Sequence, residues 1–243
     1  MSFTPRPRLG LALAAGAMVM TALGSAAPAA ASVSYGPIRP NIQTSNWGGY
    51  VALSGDYTKI VGSWTEPQVT CNSDSNLFAP WVGIDGDGSQ TVEQTGVQTD
   101  CSSGSPVMSP WYEMYPAAPV YWSETIKVGD KITGKVIANG SNYTLTLTDT
   151  TQGWTKTFHK TGNDSDVSAE AVIESPPSSY PTFSKLTFTG VRVNGQVLSS
   201  YGPTAYASGQ YTPTALKNGT FSMVPASGGH RGSVRELPSY LRS

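Results

Sequence analysis

Four short segments of the chain place acidic or amide side chains beside aromatic or small ones at strand-like spacing. Alternate residues of a β-strand share one face, so each segment would present one such mixed face. The four faces consist of Trp81, Gly83 and Asp85; Val92, Gln94 and Gly96; Trp111, Glu113 and Tyr115; and Glu170, Val172 and Glu174. If the four strands pair in one sheet, a single surface carries carboxylates, an amide and aromatic walls. Such a surface suits an extended polymer, either a peptide or a glycan.

Other interpretations of these faces remain open. Two carboxylates among Glu93, Glu113, Glu170 and Glu174 could act as the acid pair of a glycosidase, although strand alternation puts Glu93 on the opposite face from Gln94. A β-sandwich with tryptophans beside acids is also typical of a glycan-binding module without catalytic activity. Each face taken alone could be an ordinary solvent-facing side of a strand.

Metal and serine-hydrolase chemistry find little support in the sequence. The two histidines, His159 and His230, lie in no His-Glu-x-x-His motif and near no nucleophile-elbow motif. The run Asp85-Gly86-Asp87-Gly88 lacks the spaced ligands and the terminal glutamate of a calcium-binding EF-hand loop, and a tight turn is the better interpretation. We therefore expect neither a metal nor another cofactor.

Several strands are needed to position the mixed faces, and the rest of the sequence predicts them. Thr144–Thr148 alternates polar and apolar residues, and Leu186–Thr189 repeats the pattern. Turn signals such as Asn139-Gly140 and Asn218-Gly219 separate the strand-like runs. Of the 243 residues, 13% are charged and 10% aromatic, which excludes a disordered chain, and the net charge of −1 argues against nucleic-acid binding. We predict one all-β domain, an antiparallel sandwich or barrel.

The two ends of the chain differ in composition from this domain. Residues 1–31 resemble a secretion signal, with Arg6 and Arg8 before the uncharged stretch Leu9–Leu23 and small residues up to Ala31. A membrane anchor is the alternative, but the stretch is only moderately apolar. We therefore expect a secreted, extracellular protein with no membrane attachment after cleavage. Residues 226–243 are rich in Ser and Gly and are expected to form a loosely ordered tail.

Cys71 and Cys101 are the only cysteines. Export makes a disulfide between them permissible, and closing a loop of about 30 residues would stabilise the fold by about 3–4 kcal/mol. Two free thiols are the alternative, which an extracellular location disfavours.

Five separated motifs resemble, in order and spacing, the glutamic peptidase (eqolisin) family, and look like those of a bacterial member. The motifs are Ser45-Asn46-Trp47-Gly48-Gly49-Tyr50, Trp81-Val82-Gly83-Ile84-Asp85-Gly86, Glu93-Gln94-Thr95-Gly96, Trp111-Tyr112-Glu113-Met114-Tyr115-Pro116 and Ala169-Glu170-Ala171-Val172-Ile173-Glu174. The resemblance implies a domain over residues 45–225 that folds as an antiparallel β-sandwich of two large bent sheets, concanavalin A-like or jelly-roll-like, with a substrate groove on one face.

The resemblance also implies roles for individual residues. Gln94 and Glu170 match the catalytic dyad of the family. The expected substrate-binding and supporting residues are Trp47, Trp81, Asp85, Trp111, Glu113, Tyr115 and Glu174. The implied activity is an acid endopeptidase that binds extended peptides and acts as a monomer.

A Glu/Gln pair can hydrolyse a peptide bond without a metal or a covalent intermediate. An ionised Glu170 can take a proton from water as it attacks, and return that proton to the leaving nitrogen. The amide of Gln94 can orient the water and donate a hydrogen bond to the developing oxyanion. Since a free glutamate titrates near about 4.3, an acidic optimum is expected.

The segment between the predicted cleavage site and the first motif is short. Fungal members of the family carry a long propeptide, whereas only residues 32–44 precede Ser45 here. This lead-in is too short for such an inhibitory prodomain, which favours activation without processing or inhibition from elsewhere.

Overall fold

Fifteen β-strands make up almost all regular structure in the part of the chain that a computed structural model describes, residues 33–36, 46–162 and 165–227. These residues all lie within the compact unit Ser32–Ser243. The predicted signal sequence and most of the predicted tail lie outside the described residues. The strands are β1 (Trp47–Leu53), β2 (Lys59–Thr65), β3 (Leu77–Asp85), β4 (Val92–Asp100), β5 (Val107–Tyr115), β6 (Val120–Tyr121), β7 (Lys131–Asn139), β8 (Asn142–Asp149), β9 (Trp154–Thr161), β10 (Ser168–Glu174), β11 (Leu186–Val193), β12 (Gln196–Val197), β13 (Thr204–Tyr206), β14 (Tyr211–Pro213) and β15 (Phe221–Pro225).

The strands form two large sheets in which neighbouring strands run antiparallel. The first, here called the front sheet, has the order β13-β1-β10-β3-β4-β5-β6. The second, the back sheet, has the order β14-β15-β11-β2-β7-β8-β9, and β12 pairs with β11. A single 3-10 turn at Leu198–Tyr201 is the helical element of the described ranges, and these ranges contain no helix that is long and apolar enough to cross a membrane. The predicted all-β architecture of two antiparallel sheets is confirmed.

The main hydrophobic core lies between the sheets. Val82 and Ala171 of the front sheet are buried in the same apolar cluster as Val136, Leu145 and Phe188 of the back sheet. Because side chains alternate along a strand, the residues next to Val82 and Ala171 point to the opposite, outer face of the front sheet. That outer face carries a second apolar cluster, which includes Trp47, Trp81 and Trp111, so both faces of β3, β4 and β10 are covered.

A disulfide joins Cys71 to Cys101, with the two Cα atoms 5.7 Å apart, which confirms the expected bridge. Cys101 directly follows β4, and its N–H donates a hydrogen bond to the carbonyl of Asn76, just before β3. The bridge therefore fixes one end of the strand pair that carries the central residues of the outer face.

Candidate active site

One row of residues crosses the outer face of the front sheet and contains most of its polar side chains. Glu170 on β10 pairs with Gly83 on β3, Gly83 pairs with Gln94 on β4, and Gln94 pairs with Glu113 on β5. Residues in register across antiparallel strands share a face. Across the sheet, the row therefore contains a carboxyl group, a position without a side chain, an amide and a second carboxyl group, in that order.

Gly83 creates the gap between the two central side chains. Two strand spacings separate the backbones of Glu170 and Gln94 by about 10 Å, and no side chain rises from the strand between them. A Cβ atom at Gly83 would approach Trp81 Cζ3 to 2.8 Å and Gln94 Cβ to 3.1 Å. The site therefore requires glycine at this position, between Glu170 on one neighbouring strand and Gln94 on the other.

The amide of Gln94 has a defined orientation. Its Nε2 donates hydrogen bonds to the Tyr35 carbonyl oxygen and, at 3.0 Å, to Glu113 Oε2. Since a backbone carbonyl can only accept, the nitrogen must face Tyr35. Gln94 Oε1 is buried and has no hydrogen-bond partner among the described residues, so it is the atom that could accept a hydrogen bond from a bound water or ligand.

Glu113 holds this amide in place. Oε2 accepts from Gln94 and also from the backbone N–H of Tyr35 at 3.0 Å, while Oε1 accepts from the hydroxyl of Ser34 at 2.6 Å. Burial raises the pKa of Glu113 to about 7, although all three hydrogen bonds favour its ionised form. Below that pH, the Ser34 hydroxyl can reverse and accept a proton from Oε1, so the network survives protonation.

Glu170 is fully buried, and neither of its carboxyl oxygens has a hydrogen-bond partner within the described ranges. Burial raises its pKa well above the usual range, and the negative charges of Asp85, Asp87 and Glu93 raise it further. The nearby Ser168 hydroxyl opposes this shift in part, without reaching hydrogen-bonding geometry. A buried carboxyl with a raised pKa is a strong base once ionised and a proton donor once protonated.

Aromatic side chains surround the row. Trp47 and Trp81 contact each other edge to face with ring centroids 4.9 Å apart, and the Trp81 Nε1–H donates to Glu174 Oε2 at 3.2 Å. Burial raises the pKa of Glu174 well above its usual range, and the charge of Glu113 adds to this. Tyr115, half-buried, packs against the same outer-face cluster. These side chains and Trp111 make walls around the Glu–Gln row.

Asp85 lies elsewhere than strand alternation predicts. Its backbone has a φ of +68°, which breaks the alternation at the end of β3. Its carboxylate accepts hydrogen bonds from the backbone N–H groups of Asp166 and Val167 at 3.0 and 2.9 Å. Asp85 therefore anchors the segment that leads into β10. It does not line the row, but its negative charge raises the pKa of Glu170.

Residues Val33–Gly36, here called the N-terminal segment, lie over the Gln94–Glu113 end of the row. Tyr35 is completely buried, and its ring stacks on Trp111 with centroids 4.4 Å apart and an interplanar angle of 15°. The segment supplies the Ser34 and Tyr35 contacts to Gln94 and Glu113 described above. The sequence favours a lead-in without inhibitory function, whereas this part of it occupies the candidate active site.

Sequence reasoning missed several residues of the site. Gln98 accepts hydrogen bonds from the hydroxyls of Tyr35 at 2.7 Å and Tyr121 at 2.6 Å. Gln98 could have been identified from the sequence, because it lies four residues after Gln94 on the same strand and therefore shares its face. Nothing local identifies Ser34 and Tyr35, because their contacts to Glu113 and Gln98 join positions 63 to 79 residues apart.

The arrangement suits activation of a water better than a glycosidase carboxylate pair. Glu113 and Glu170 are three strand spacings apart, about 14 Å between their backbones, and Gly83 and Gln94 lie between them in the row. Both Glu113 oxygens are also engaged in holding Gln94 and the N-terminal segment. The nearest usable partner of Glu170 across Gly83 is the amide of Gln94.

Comparison with known proteins relates the chain to one family of peptidases. The model of the Peptidase A4 family matches residues 45–224. The chain is similar to aspergillopepsin-2 from Aspergillus niger, with 30% identity over 177 residues, which are 60% of this chain and 63% of that protein. It is also similar to scytalidopepsin B from Scytalidium lignicola, with 34% identity over 137 residues, 54% of this chain and 51% of the relative. The chain thus spans less than two thirds of the length of either relative.

A solved structure supports the same comparison. The crystal structure of scytalido-glutamic peptidase with a transition state analog inhibitor matches with a TM-score of 0.64 and 25% identity, covering 74% of this chain and 98% of that one. The two-sheet architecture described above is therefore shared with a peptidase of known structure.

Proposed function

Because the chain belongs to the Peptidase A4 family, we propose that it is a secreted acid endopeptidase in which Gln94 and Glu170 activate a water molecule. The observation that carries the proposal is their common row on the front sheet, with Gly83 between them. The glutamic peptidases among its relatives support the substrate class, an extended peptide. Secretion rests on the signal-like residues 1–31.

Glu170 acts as the base and then as the acid. In its ionised form it removes a proton from water while the water oxygen forms a bond to the carbonyl carbon of the substrate. The tetrahedral intermediate then expels the amine as the C–N bond breaks, and Glu170 returns the proton to the leaving nitrogen. The raised pKa of Glu170 favours the second step, because the protonated acid persists until the nitrogen needs it.

Gln94 stabilises the negative charge that develops on the carbonyl oxygen. Its Nε2 already donates a hydrogen bond to a peptide carbonyl, that of Tyr35, and a substrate carbonyl would take the same place. Its Oε1 would accept a hydrogen bond from the attacking water. Glu113 fixes the amide so that the donor and acceptor ends cannot exchange, and this orientation costs no reorganisation during the reaction.

The pH dependence has two limbs. Activity rises with pH as Glu170 ionises, and burial moves this limb above the pH at which an exposed glutamate would titrate. Activity falls again as Glu113, with a pKa of about 7, becomes charged, because its negative charge then opposes the oxyanion that forms beside it on Gln94. The acid optimum that we propose requires Glu170 to ionise at a lower pH than Glu113 does.

Two substitutions test the dyad directly. Glu170→Gln removes the base and is expected to lower kcat by about 10²–10⁴-fold. Gln94→Ala removes the oxyanion donor and is expected to lower kcat by about 10²–10³-fold. Both are measured as cleavage of a denatured protein at pH 3–5 and at pH 7, with thermal unfolding recorded in parallel.

Glu66→Gln is the matched control. Glu66 is a buried glutamate outside the row, with a pKa that burial raises to about 8, and glutamine can still accept the Trp64 Nε1–H bond. This variant should keep its activity. Full activity in Glu170→Gln, or a loss of activity in all three variants alike, would overturn the proposed mechanism. Inhibition by a chelator would likewise contradict hydrolysis by a Glu/Gln dyad alone.

A further inference from the structure

The ring of Tyr35 fills a pocket built by residues of the front sheet. Trp111, itself fully buried, forms one wall, parallel to the Tyr35 ring at a centroid distance of 4.4 Å. Stacking of this kind adds to the free energy gained by burying an aromatic ring. A flat six-membered ring therefore fits the pocket better than a branched aliphatic side chain does.

A polar group closes the far end of this pocket. Gln98, which is 8% exposed, accepts a hydrogen bond from the Tyr35 hydroxyl at 2.7 Å through Oε1, and the same oxygen accepts one from the Tyr121 hydroxyl at 2.6 Å. Burial raises the pKa of Tyr35 well above its usual range, so the hydroxyl stays protonated and remains a donor. The pocket thus offers an acceptor where a phenol needs one.

The backbone of Tyr35 is held like that of a bound peptide. Its carbonyl accepts from Gln94 Nε2, and its N–H donates to Glu113 Oε2 at 3.0 Å. One residue thus makes two main-chain contacts to the polar row and inserts its side chain into the adjacent pocket. The N-terminal segment behaves as a ligand of the groove that is covalently joined to the protein.

From these contacts we propose that Trp111, Gln98 and Tyr121 form a subsite for the tyrosyl side chain of a peptide substrate, at the residue whose carbonyl binds Gln94. The proposal rests on the proposed function for its catalytic consequence, since the pocket would then select tyrosine on the acyl side of the cleaved bond, next to the carbonyl that binds Gln94. Binding of a tyrosyl peptide to this pocket does not depend on catalysis and can be measured separately.

Two separate contacts let the pocket discriminate between tyrosine and other side chains. Phenylalanine keeps the stack on Trp111 but loses the hydrogen bond to Gln98, which would still accept from Tyr121. One such bond to a partly satisfied acceptor corresponds to about 3- to 10-fold in affinity. Alanine loses the stack and the buried ring as well, which corresponds to about 30-fold or more.

The test uses the full chain with Tyr35→Ala, which empties the pocket. The probe is the blocked peptide acetyl-Val-Ser-Tyr-Gly-amide, the sequence of the N-terminal segment, with analogues that carry Phe, Leu or Ala at the tyrosine, and binding is measured by calorimetry. We expect the tyrosyl peptide to bind about 3- to 10-fold more tightly than the Phe analogue and at least about 30-fold more tightly than the Ala analogue. The double variant Tyr35→Ala/Gln98→Leu should abolish the Tyr–Phe difference and keep the preference for a ring.

A second variant covers the case in which Tyr35→Ala does not fold. Tyr35→Phe keeps the stack and loses only the bond to Gln98, so external tyrosyl peptide should bind it more tightly than it binds the unmodified chain. Equal binding of the Tyr, Phe and Leu peptides would overturn the subsite. Selective binding without any hydrolysis would retain the subsite and refute the peptidase function. Hydrolysis without preference for tyrosine would retain the function and refute the subsite.

Discussion

Gly83 sets the geometry of the site at the scale of single residues, because it lies between Gln94 and Glu170 in the row and has no side chain to displace either of them. Gly83→Ala would bring a methyl group to 2.8 Å from Trp81 Cζ3 and 3.1 Å from Gln94 Cβ. The expected result is displacement of Gln94 and a fall in kcat/KM of about 10²-fold, the usual cost of misplacing a catalytic group by about 1 Å. Steady-state kinetics on a peptide substrate measures it.

Gly62→Ala is a suitable control for that prediction. A methyl group there would also crowd its surroundings, at 3.0 Å from Val82 Cγ1, but Gly62 lies on the back sheet and faces the core. This variant should melt earlier while its folded fraction keeps normal kinetics. If both glycine variants lost stability and activity in equal measure, Gly83 would have no special role in the site.

Strand alternation predicts much of this residue-scale picture, and its failures have physical causes. Gln94, Glu113 and Glu170 lie on one face, as their parity within three separate strands requires. Asp85 departs from the pattern because its positive φ turns the chain at the end of β3. Whether Gln94 and Glu170 are catalytic stays a prediction until the variants are measured.

At the scale of elements, the N-terminal segment lies where we propose that substrate binds, and we expect the two to compete. Tyr35 contributes the stacked ring and both main-chain contacts to the polar row, so Tyr35→Ala should weaken this competition. We expect a higher kcat/KM, seen as faster cleavage at low substrate concentration, and little change in kcat. Progress curves over a range of peptide concentrations check this.

Tyr211→Ala provides the matched tyrosine control. Tyr211 is buried and stacks on Phe183 away from the polar row, so its loss should reduce stability without raising activity. A fall in kcat/KM of Tyr35→Ala, with the fold intact, would mean that the segment completes the site instead of blocking it.

The strands themselves were predictable to different degrees. The predicted face of Trp111, Glu113 and Tyr115 lies inside β5, and Thr144–Thr148 lies inside the longer β8. β1 escapes a pattern search because Gly48 and Gly49 interrupt it, and it forms through pairing with β10, more than 100 residues away. The pairing order of strands depends on such distant contacts, which local alternation does not encode.

At the scale of the whole molecule, buried carboxyl groups make stability depend on pH. Burial raises the pKa of Glu66 to about 8, of Glu93 to about 9 and of Glu113 to about 7. In the unfolded chain these groups lose their protons near about 4.3. The folded state thus holds protons that the unfolded state has lost, so the stabilisation is complete below about pH 4 and disappears as the pH rises towards 9.

We therefore expect the melting temperature to be highest in acid and to fall by about 10 °C or more between pH 4 and pH 8. Loss of ion pairs in acid should cost little, because the described ranges contain a single one, between Lys156 and Glu124 at the surface. Glu93→Gln should flatten the profile, since it removes the group with the largest of these shifts. Calorimetry across pH measures both, and a melting temperature that rises from pH 4 to pH 8 would contradict the assignment.

The N-terminal segment is covalently joined to the sandwich, and this link sets how much substrate is needed to displace it. Only the nine residues 37–45 separate Gly36 from Asn46, at the start of the sandwich. A ligand joined by so short a connection meets its pocket at an effective concentration of the order of millimolar, and dilution leaves that concentration unchanged. A substrate peptide would therefore have to reach a comparable concentration to displace the segment. Cleavage of the chain between Gly36 and Asn46 would remove this requirement, and peptides at low concentration would then be hydrolysed as well.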